Sequence, residues 1–281
     1  MFEDFYNLSK DGFVNDFNQY STEDLKWITS NDVNFFIRSI LTEKYIDLVL
    51  LKMQELNILE HIVPGINGVI QLKDPKNRFK DLWDHTVKVV AKSKPTVEIR
   101  TAALFHDFGK PATLKIENDK VTFHNHENLS VKYFMNFANK WRIFSKDEYV
   151  KIKFLIRQLG YIESYTSEWT DSAVRRFYQT IGDYIDDLIE LSRADVTSAN
   201  PNQHERVNNN LKDLKDRIIN LKEKDNIIPP LPTGLGNALM NIGIFGPKIS
   251  IVKSELEQDI KLGKIKAYQN IEYYINYLKN V

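Results

Sequence analysis

His106 and Asp107 stand side by side in "LFHDFGKPAT" (residues 104–113), where an apolar segment ends and Gly109 and Pro111 break the chain. Imidazole and carboxylate groups are both ligands for divalent ions. Consecutive helical residues diverge by about 100°, so both reach one ion only if it sits just off the helix end. The carbonyl dipoles of that end also favour a cation. Two further residues can reach such a point. On the helix expected at "RFKDLWDHTVKVVAKSK", Phe79, Trp83, Val87 and Val90 form the main apolar stripe. Leu82, His85 and Val89 lie on the adjoining line, which turns His85 partly inward. Tyr184, Leu188, Leu191 and Asp195 recur at i, i+4, i+7 and i+11, so Asp195 continues an inward-facing line. A buried carboxylate without a partner is costly or protonated. Together, His85, His106, Asp107 and Asp195 make one site of two nitrogens and two oxygens for a divalent ion, with positions left for water. Taken singly, each has a plainer account: His85 as a hydrogen-bonded core residue, His106 and Asp107 as a helix-end pair, Asp195 as the cap of the turn at "DVTS".

The elements that must deliver these groups are helices. Apolar residues recur at spacings of three and four almost throughout, which predicts an all-α fold. In the first segment one helix is expected after a cap at Thr42, with Ile46, Val49, Leu50 and Met53 on one face. "PGINGVIQLKDPKN" reads as a loop. The helix over 97–107 is nearly continuously apolar in "AALF", hence buried on most sides, with Gly109 placed as its left-handed terminator. "ENDKVTFHN" fits a hairpin or a plain loop. Helices follow at "NHENLSVKYFMNFANKW", "KDEYVKIKFLIRQL", "TDSAVRRFYQTI", "YIDDLIELSRADVTSAN" and "HERVNNNLKDLKDRIINLKEKD". The prolines of "NIIPPLPTGLG" mark a boundary, and the last two helices are expected over about 248–262 and 268–279. The chain thus divides into an N-terminal helical segment (1–70), a helical core holding the metal-binding residues (71–200) and a C-terminal helical tail (201–281).

With 281 residues the chain can bury a real core without staples. It has no cysteine, which excludes disulfides, zinc–thiolate sites and thiol catalysis. Its 38 basic and 38 acidic side chains argue against a whole-surface nucleic-acid field while leaving room for a local basic patch. No apolar run approaches the roughly 18 residues of a membrane span, and "MFEDFYNLSKDGF" has neither a signal nor a transit pattern. The expectation is a cytoplasmic chain with no membrane partner.

The order His85, His106-Asp107, Asp195 resembles the HD superfamily of metal-dependent phosphohydrolases. More specifically, "DLWDHTVKVV", "IRTAALFHDFGKPAT", "VTFHNHENLSVKYF", "TDSAVRRF", "RADVTSANP", "EKDNIIPPLPTGLGNALM" and "GPKISIVKSELEQDIKLGKI" are similar, in that order, to the HD-containing C-terminal body of bacterial CCA-adding enzymes and poly(A) polymerases. The similarity runs from about Asn57 onward. Two departures stand out. The sequence has no Gly-Gly or Gly-Ser pair of the kind found in the nucleotidyltransferase head of those enzymes. At "LIRQLGYI", where many relatives carry a histidine, Gln158 and Leu159 stand instead, which favours one ion over two.

The resemblance implies an HD-domain helical core and one divalent ion, with manganese, nickel, cobalt, magnesium, iron and zinc not distinguished. It also implies a stand-alone phosphohydrolase acting on a nucleotide or RNA-end phosphate, either a phosphomonoester or a 2′,3′-cyclic phosphodiester. In that reading Asp107 holds or deprotonates the attacking water, and Lys110 and His126 offset phosphate charge. Lys110 is equally a solvated helix-end cation. His126 matches the "GHE" position of the family and is equally a helix-start histidine bonded to backbone; His124 is the weaker candidate. Of Arg175 and Arg176 in "AVRRF", one faces the cavity or RNA, with Arg175 the substrate-side choice. Glu127 reads as a first-turn helix acid. The alternative from another class is an RNA-binding body, in which the Lys-rich tail segments grip tRNA and a separate chain supplies the nucleotidyltransferase. Acidic residues nearly cancel the charge of those segments, so a solvated helix face is their default.

Overall fold

Side-chain caps set where five of the helices begin. Thr29 and Ser145 each form a reciprocal capping box, with Asp32 and Glu148, while Asp81, Thr96 and Thr170 each accept a backbone N–H three residues on. The computed structural model describes residues 1–13, 24–74, 76, 79–198, 200–226, 231–267 and 269–279. In chain order the elements are α1 (Phe2–Asp11), a 3-10 turn (Asp24–Trp27), α2 (Ser30–Phe35) continued by a π-helical stretch (Phe36–Ile40), α3 (Ile46–Glu55), α4 (Leu59–Ile62), α5 (Ile66–Gln71), α6 (Leu82–Lys92), α7 (Val97–Phe105) and α8 (Lys110–Thr113). A hairpin of β1 (Lys115–Glu117) and β2 (Lys120–Thr122) follows, and then α9 (His126–Trp141), α10 (Lys146–Glu163), α11 (Asp171–Ile181), a 3-10 turn (Gly182–Tyr184), α12 (Ile185–Asp195), α13 (Pro201–Asn226), α14 (Leu235–Asn241), α15 (Pro247–Lys261) and α16 (Ile271–Lys279). The fold is all-α; the hairpin, antiparallel with Ile116 opposite Val121, contributes the only strands among the described residues. Asn118 and Asp119 both take positive φ at its tip, the conformation a two-residue turn between twisted strands requires.

Four local expectations are corrected. Thr42 does not cap α3: its hydroxyl donates to the Arg38 carbonyl at 3.0 Å, and α3 starts after Tyr45. The face expected there is nevertheless the buried one, with Ile46, Val49, Leu50 and Met53 all inaccessible. The stretch read as a loop contains α5, whose Ile66 and Val69 bury together and outweigh the poor helix propensity of Gly68. Phe79 lies outside α6, because the Asp81 cap starts that helix at Leu82; its ring packs edge-on against Phe123, 5.5 Å between centroids. The fourth correction, at Gly109, belongs to the site. Pro75 and Asn77 of the expected loop, Arg78 of the helical segment after it, Ala199 of "DVTSAN", residues 227–230 of the proline boundary and Tyr268 lie outside the described residues.

The chain divides into two compact units, Met1–Ile218 and Ile219–Val281. In the first, α6, α7 and α12 pack on one another, α10 lies against α7, α9 and α12, and α3 and α5 back α6. Its core includes a ring cluster in which Phe105 meets Phe108, Phe134 and Phe137 at centroid distances of 4.6, 5.8 and 5.2 Å. Such pairs each contribute about 0.5–1.5 kcal/mol beyond their buried area. The second unit has its own small core of Leu231, Leu235, Leu239, Leu256, Ile265 and Tyr274. Among the described residues no helix is long and apolar enough to cross a membrane.

Candidate metal centre

Three helices deliver the four expected ligands. His85 sits mid-way along α6, His106 is the C-cap of α7 with Asp107 next to it, and Asp195 is the last residue of α12. Apolar neighbours fix the turn: Phe105 and Phe108 flank the His-Asp pair, are buried, and pull the turn into the ring cluster, leaving His106 and Asp107 to face the other way. Gly109 is not a left-handed terminator; its φ of −78° is one that any residue adopts. It is glycine because the turn runs against the first residue of α9. A Cβ there would lie 2.1 Å from the His126 carbonyl oxygen and 2.8 Å from its carbon, while the Gly109 N–H donates to Ser130 Oγ at 2.8 Å.

The donor atoms converge. His85 Nε2 and His106 Nε2 are 3.2 Å apart; Asp107 Oδ2 lies 3.5 and 3.2 Å from them, and Asp195 Oδ1 lies 3.0 and 3.1 Å from them. Two ligands sharing one ion at about 2.1 Å are separated by about 3.0–3.5 Å, so these spacings suit a common cation. His85, His106 and Asp107 are all buried and offer ligand atoms within 4.8 Å of one another, and Asp195 Oδ1 faces both rings. Asp195 Oδ1 is buried and without a hydrogen-bond partner.

The second layer of contacts prepares the rings for an ion. His106 Nδ1 lies 2.7 Å from the Ala103 carbonyl, which can only accept, so Nδ1 carries a proton in either charge state and Nε2 presents a lone pair once its own proton leaves. His85 Nδ1 lies 2.8 Å from Thr197 Oγ1, and Lys80 Nζ donates to that oxygen at 2.8 Å. Two imidazole nitrogens and two carboxylate oxygens crowded together need a positive centre among them. Burial alone would push His106 down, but Asp107, then Asp195, overcome it and hold the imidazole up at about 10. Burial lowers His85, which Asp195 only partly offsets. Asp107 is held well below the usual carboxylate range because His106, Lys110 and His126 outweigh its burial. Asp195 is lowered by the two rings against the same opposing effect. A proton on His106 thus takes the place that the donor set could offer to a metal ion.

Around the cluster, Lys110 is committed to Asp107 Oδ2 at 2.6 Å and passes 5.5 Å from the Phe123 ring centre. His126 is bonded to backbone at its helix start, with Nδ1 2.9 Å from the Phe123 carbonyl, and its Nε2 lies 3.4 Å from Asp107 Oδ1. His124 is exposed. A cavity of about 140 Å³ is lined by His106, Asp107, Lys110, His126, Glu127 and Glu163, with Leu159 among its apolar walls. A second, of about 340 Å³, opens on His85, Lys80, Lys110 and Asp195. Arg175 is half-buried on α11 and lines neither of these.

Three residues absent from the sequence reading belong here. Thr197 and Lys80 bear on His85, and Glu163, at the end of α10, sets its carboxyl against Asp195. Burial and that neighbouring charge hold the Glu163 carboxyl well above its usual range. Only Lys80 carried a signal, two residues before an inward-facing helix start. Fold and site together define an all-α protein with a buried His/Asp centre able to hold a metal ion. No protein-family model and no curated protein matches the chain.

Proposed function

We propose that this protein is an HD-type metal-dependent phosphohydrolase acting on a nucleotide or RNA-end phosphate, with one divalent ion held by His85, His106, Asp107 and Asp195. The observation that carries the reading is Asp195 Oδ1: buried, without a hydrogen-bond partner, and 3.0 and 3.1 Å from two imidazole nitrogens. A carboxylate oxygen can only accept, so a purely structural role would pair it with a donor, whereas a metal ligand leaves it facing the cation. A divalent ion bound here polarises a phosphate oxygen and brings the pKa of a water toward neutrality.

The chain's own groups supply the rest. Asp107 and Asp195, Lys110 and a divalent ion leave one net positive charge, and Lys80 adds another, so the loaded centre attracts a phosphate anion. Lys110 holds Asp107 Oδ2, while Asp107 Oδ1 is turned to His126 and is the oxygen placed to take a proton from water. His126, its ring fixed through the Phe123 carbonyl, presents Nε2 to the same space and can hydrogen-bond a phosphate oxygen as charge develops.

The test is hydrolysis of bis(p-nitrophenyl) phosphate with manganese, cobalt, nickel or magnesium. His106→Ala and Asp107→Ala are expected to abolish metal-stimulated turnover, with helical circular dichroism largely retained. Turnover that persists in both variants refutes the proposal.

A further inference from the structure

A cavity of about 210 Å³ adjoins the centre, sharing Asp195, Lys80 and Glu163 with it, and one of its walls is α13. The inward line of α13 is apolar at Leu211, Leu214, Ile218 and Leu221, all buried. Continued toward the start of the helix at the same spacings of three and four, that line passes through Asn210, Val207 and Gln203. Two carboxamides therefore occupy positions where the pattern requires apolar side chains. Both are half-buried, line the cavity, and make no side-chain hydrogen bond to another described residue. Across from them, Ser192 on α12 is only 1% exposed, and its Oγ also lacks a partner. Ser192 Oγ and Asp195 Oδ1 are two of the three orphaned buried side-chain atoms among the described residues, and both of these residues line this cavity. Buried polar groups are normally hydrogen-bonded, so a concentration of unmet ones beside a reactive centre marks the place of a ligand.

The chemistry of the walls narrows that ligand. Charge is confined to the side shared with the metal centre. Elsewhere the cavity is apolar, through Ile162, Val207 and Leu211, with neutral polar groups interspersed. A carboxamide offers a donor and an acceptor side by side, the complement of a nucleobase edge. A bare phosphate or a sugar phosphate would need cations or a hydroxyl-binding shell instead.

The geometry points to this cavity as the seat of the base of a nucleoside phosphate, with Gln203 and Asn210 reading its edge and Ser192 closing the hydrogen-bond set, while the phosphate reaches the metal centre. This assignment rests on the phosphohydrolase reading for the phosphate end only.

The test uses the full chain loaded with manganese and phosphate-free probes: adenosine, guanosine, cytidine and uridine, titrated separately by calorimetry. At least one nucleoside is expected to bind, about tenfold more weakly to Gln203→Leu and to Asn210→Leu. Asn210→Asp keeps the shape and removes the amide donor, and is expected to change which nucleoside is preferred. No binding of any nucleoside at millimolar concentration overturns the assignment, as does an affinity and preference unaltered in all three variants. If no nucleoside binds while the protein hydrolyses a phosphodiester, the base cavity falls and the hydrolase stands. If a nucleoside binds with the expected variant effects and no phosphoester is hydrolysed, the base cavity stands and the hydrolase falls.

Discussion

Gly109→Ala isolates what holds the His-Asp turn in place. The added methyl would meet backbone atoms, the His126 carbonyl oxygen at 2.1 Å and its carbon at 2.8 Å, so no rotamer change relieves the overlap. Either the turn or the start of α9 must move by about 1 Å. Overpacking of this kind costs about 1–3 kcal/mol. The buried bond from the Gly109 N–H to Ser130 Oγ, 2.8 Å long, is strained or lost in the same movement, adding about 1 kcal/mol. The expected destabilisation is about 3 kcal/mol, or a fall in Tm of about 6–12 °C for a unit of this size. Metal affinity falls as well, since His106 and Asp107 travel with the turn. Gly68→Ala is the control: its nearest neighbour would be Pro111 Cβ at 3.6 Å, an ordinary contact, and the helical site gains up to about 1 kcal/mol. Gly109→Asn separates the two accounts of the glycine, because asparagine suits a left-handed site but is no smaller. Urea unfolding followed at 222 nm reads all three. If Gly109→Ala lies within about 0.5 kcal/mol of wild type, or Asn rescues what Ala does not, the close-approach argument is wrong.

Two other consequences are open to measurement. Arg38 donating to Glu148, supported by the Ser145 N–H, holds the Glu148 carboxyl down at about 2 from an unfolded value of 4.5. Because the folded value is the lower one, the stabilisation is complete above pH 4.5 and is lost as pH falls toward 2. Arg38 is 37% exposed, so solvent screening limits the pair to about 1 kcal/mol. The unfolding free-energy gap between wild type and Glu148→Gln should shrink to less than about half between pH 6 and pH 3, and a pH-independent gap contradicts the assignment. Thr197→Val removes the oxygen that orients His85 through Nδ1 and is expected to weaken divalent-ion binding by about 10–100-fold in calorimetry; unchanged affinity removes Thr197 from the site.

Much of this was legible in the chain because it depends on periodicity. His85 and Asp195 face inward for the same reason that Val89 and Leu191 do, and an apolar helix ending in His-Asp announces where its polar end must point. Turn chemistry was less legible. Gly109 carries the signature of a helix terminator, yet its need for glycine comes from α9, 17 residues later at His126, which no local pattern encodes. Thr42 looked like a cap, but its hydroxyl turned back to the preceding turn. Thr197, Ser192 and Glu163 sit at unremarkable positions in their own segments and acquire a role only when α6, α10 and α12 meet. Gln203 and Asn210 were visible as breaks in an apolar stripe, but the stripe could be drawn only once Leu211 and Leu214 were known to be buried.

The central claim is that two imidazoles and two carboxylates share one cation. Anomalous diffraction from crystals of the full chain grown with manganese tests it most directly. The account predicts one anomalous peak per chain in the first unit, about 2.0–2.3 Å from His85 Nε2, His106 Nε2, Asp107 Oδ2 and Asp195 Oδ1, and absent from His106→Ala. A wild-type map with no peak among those four atoms at saturating manganese would contradict it.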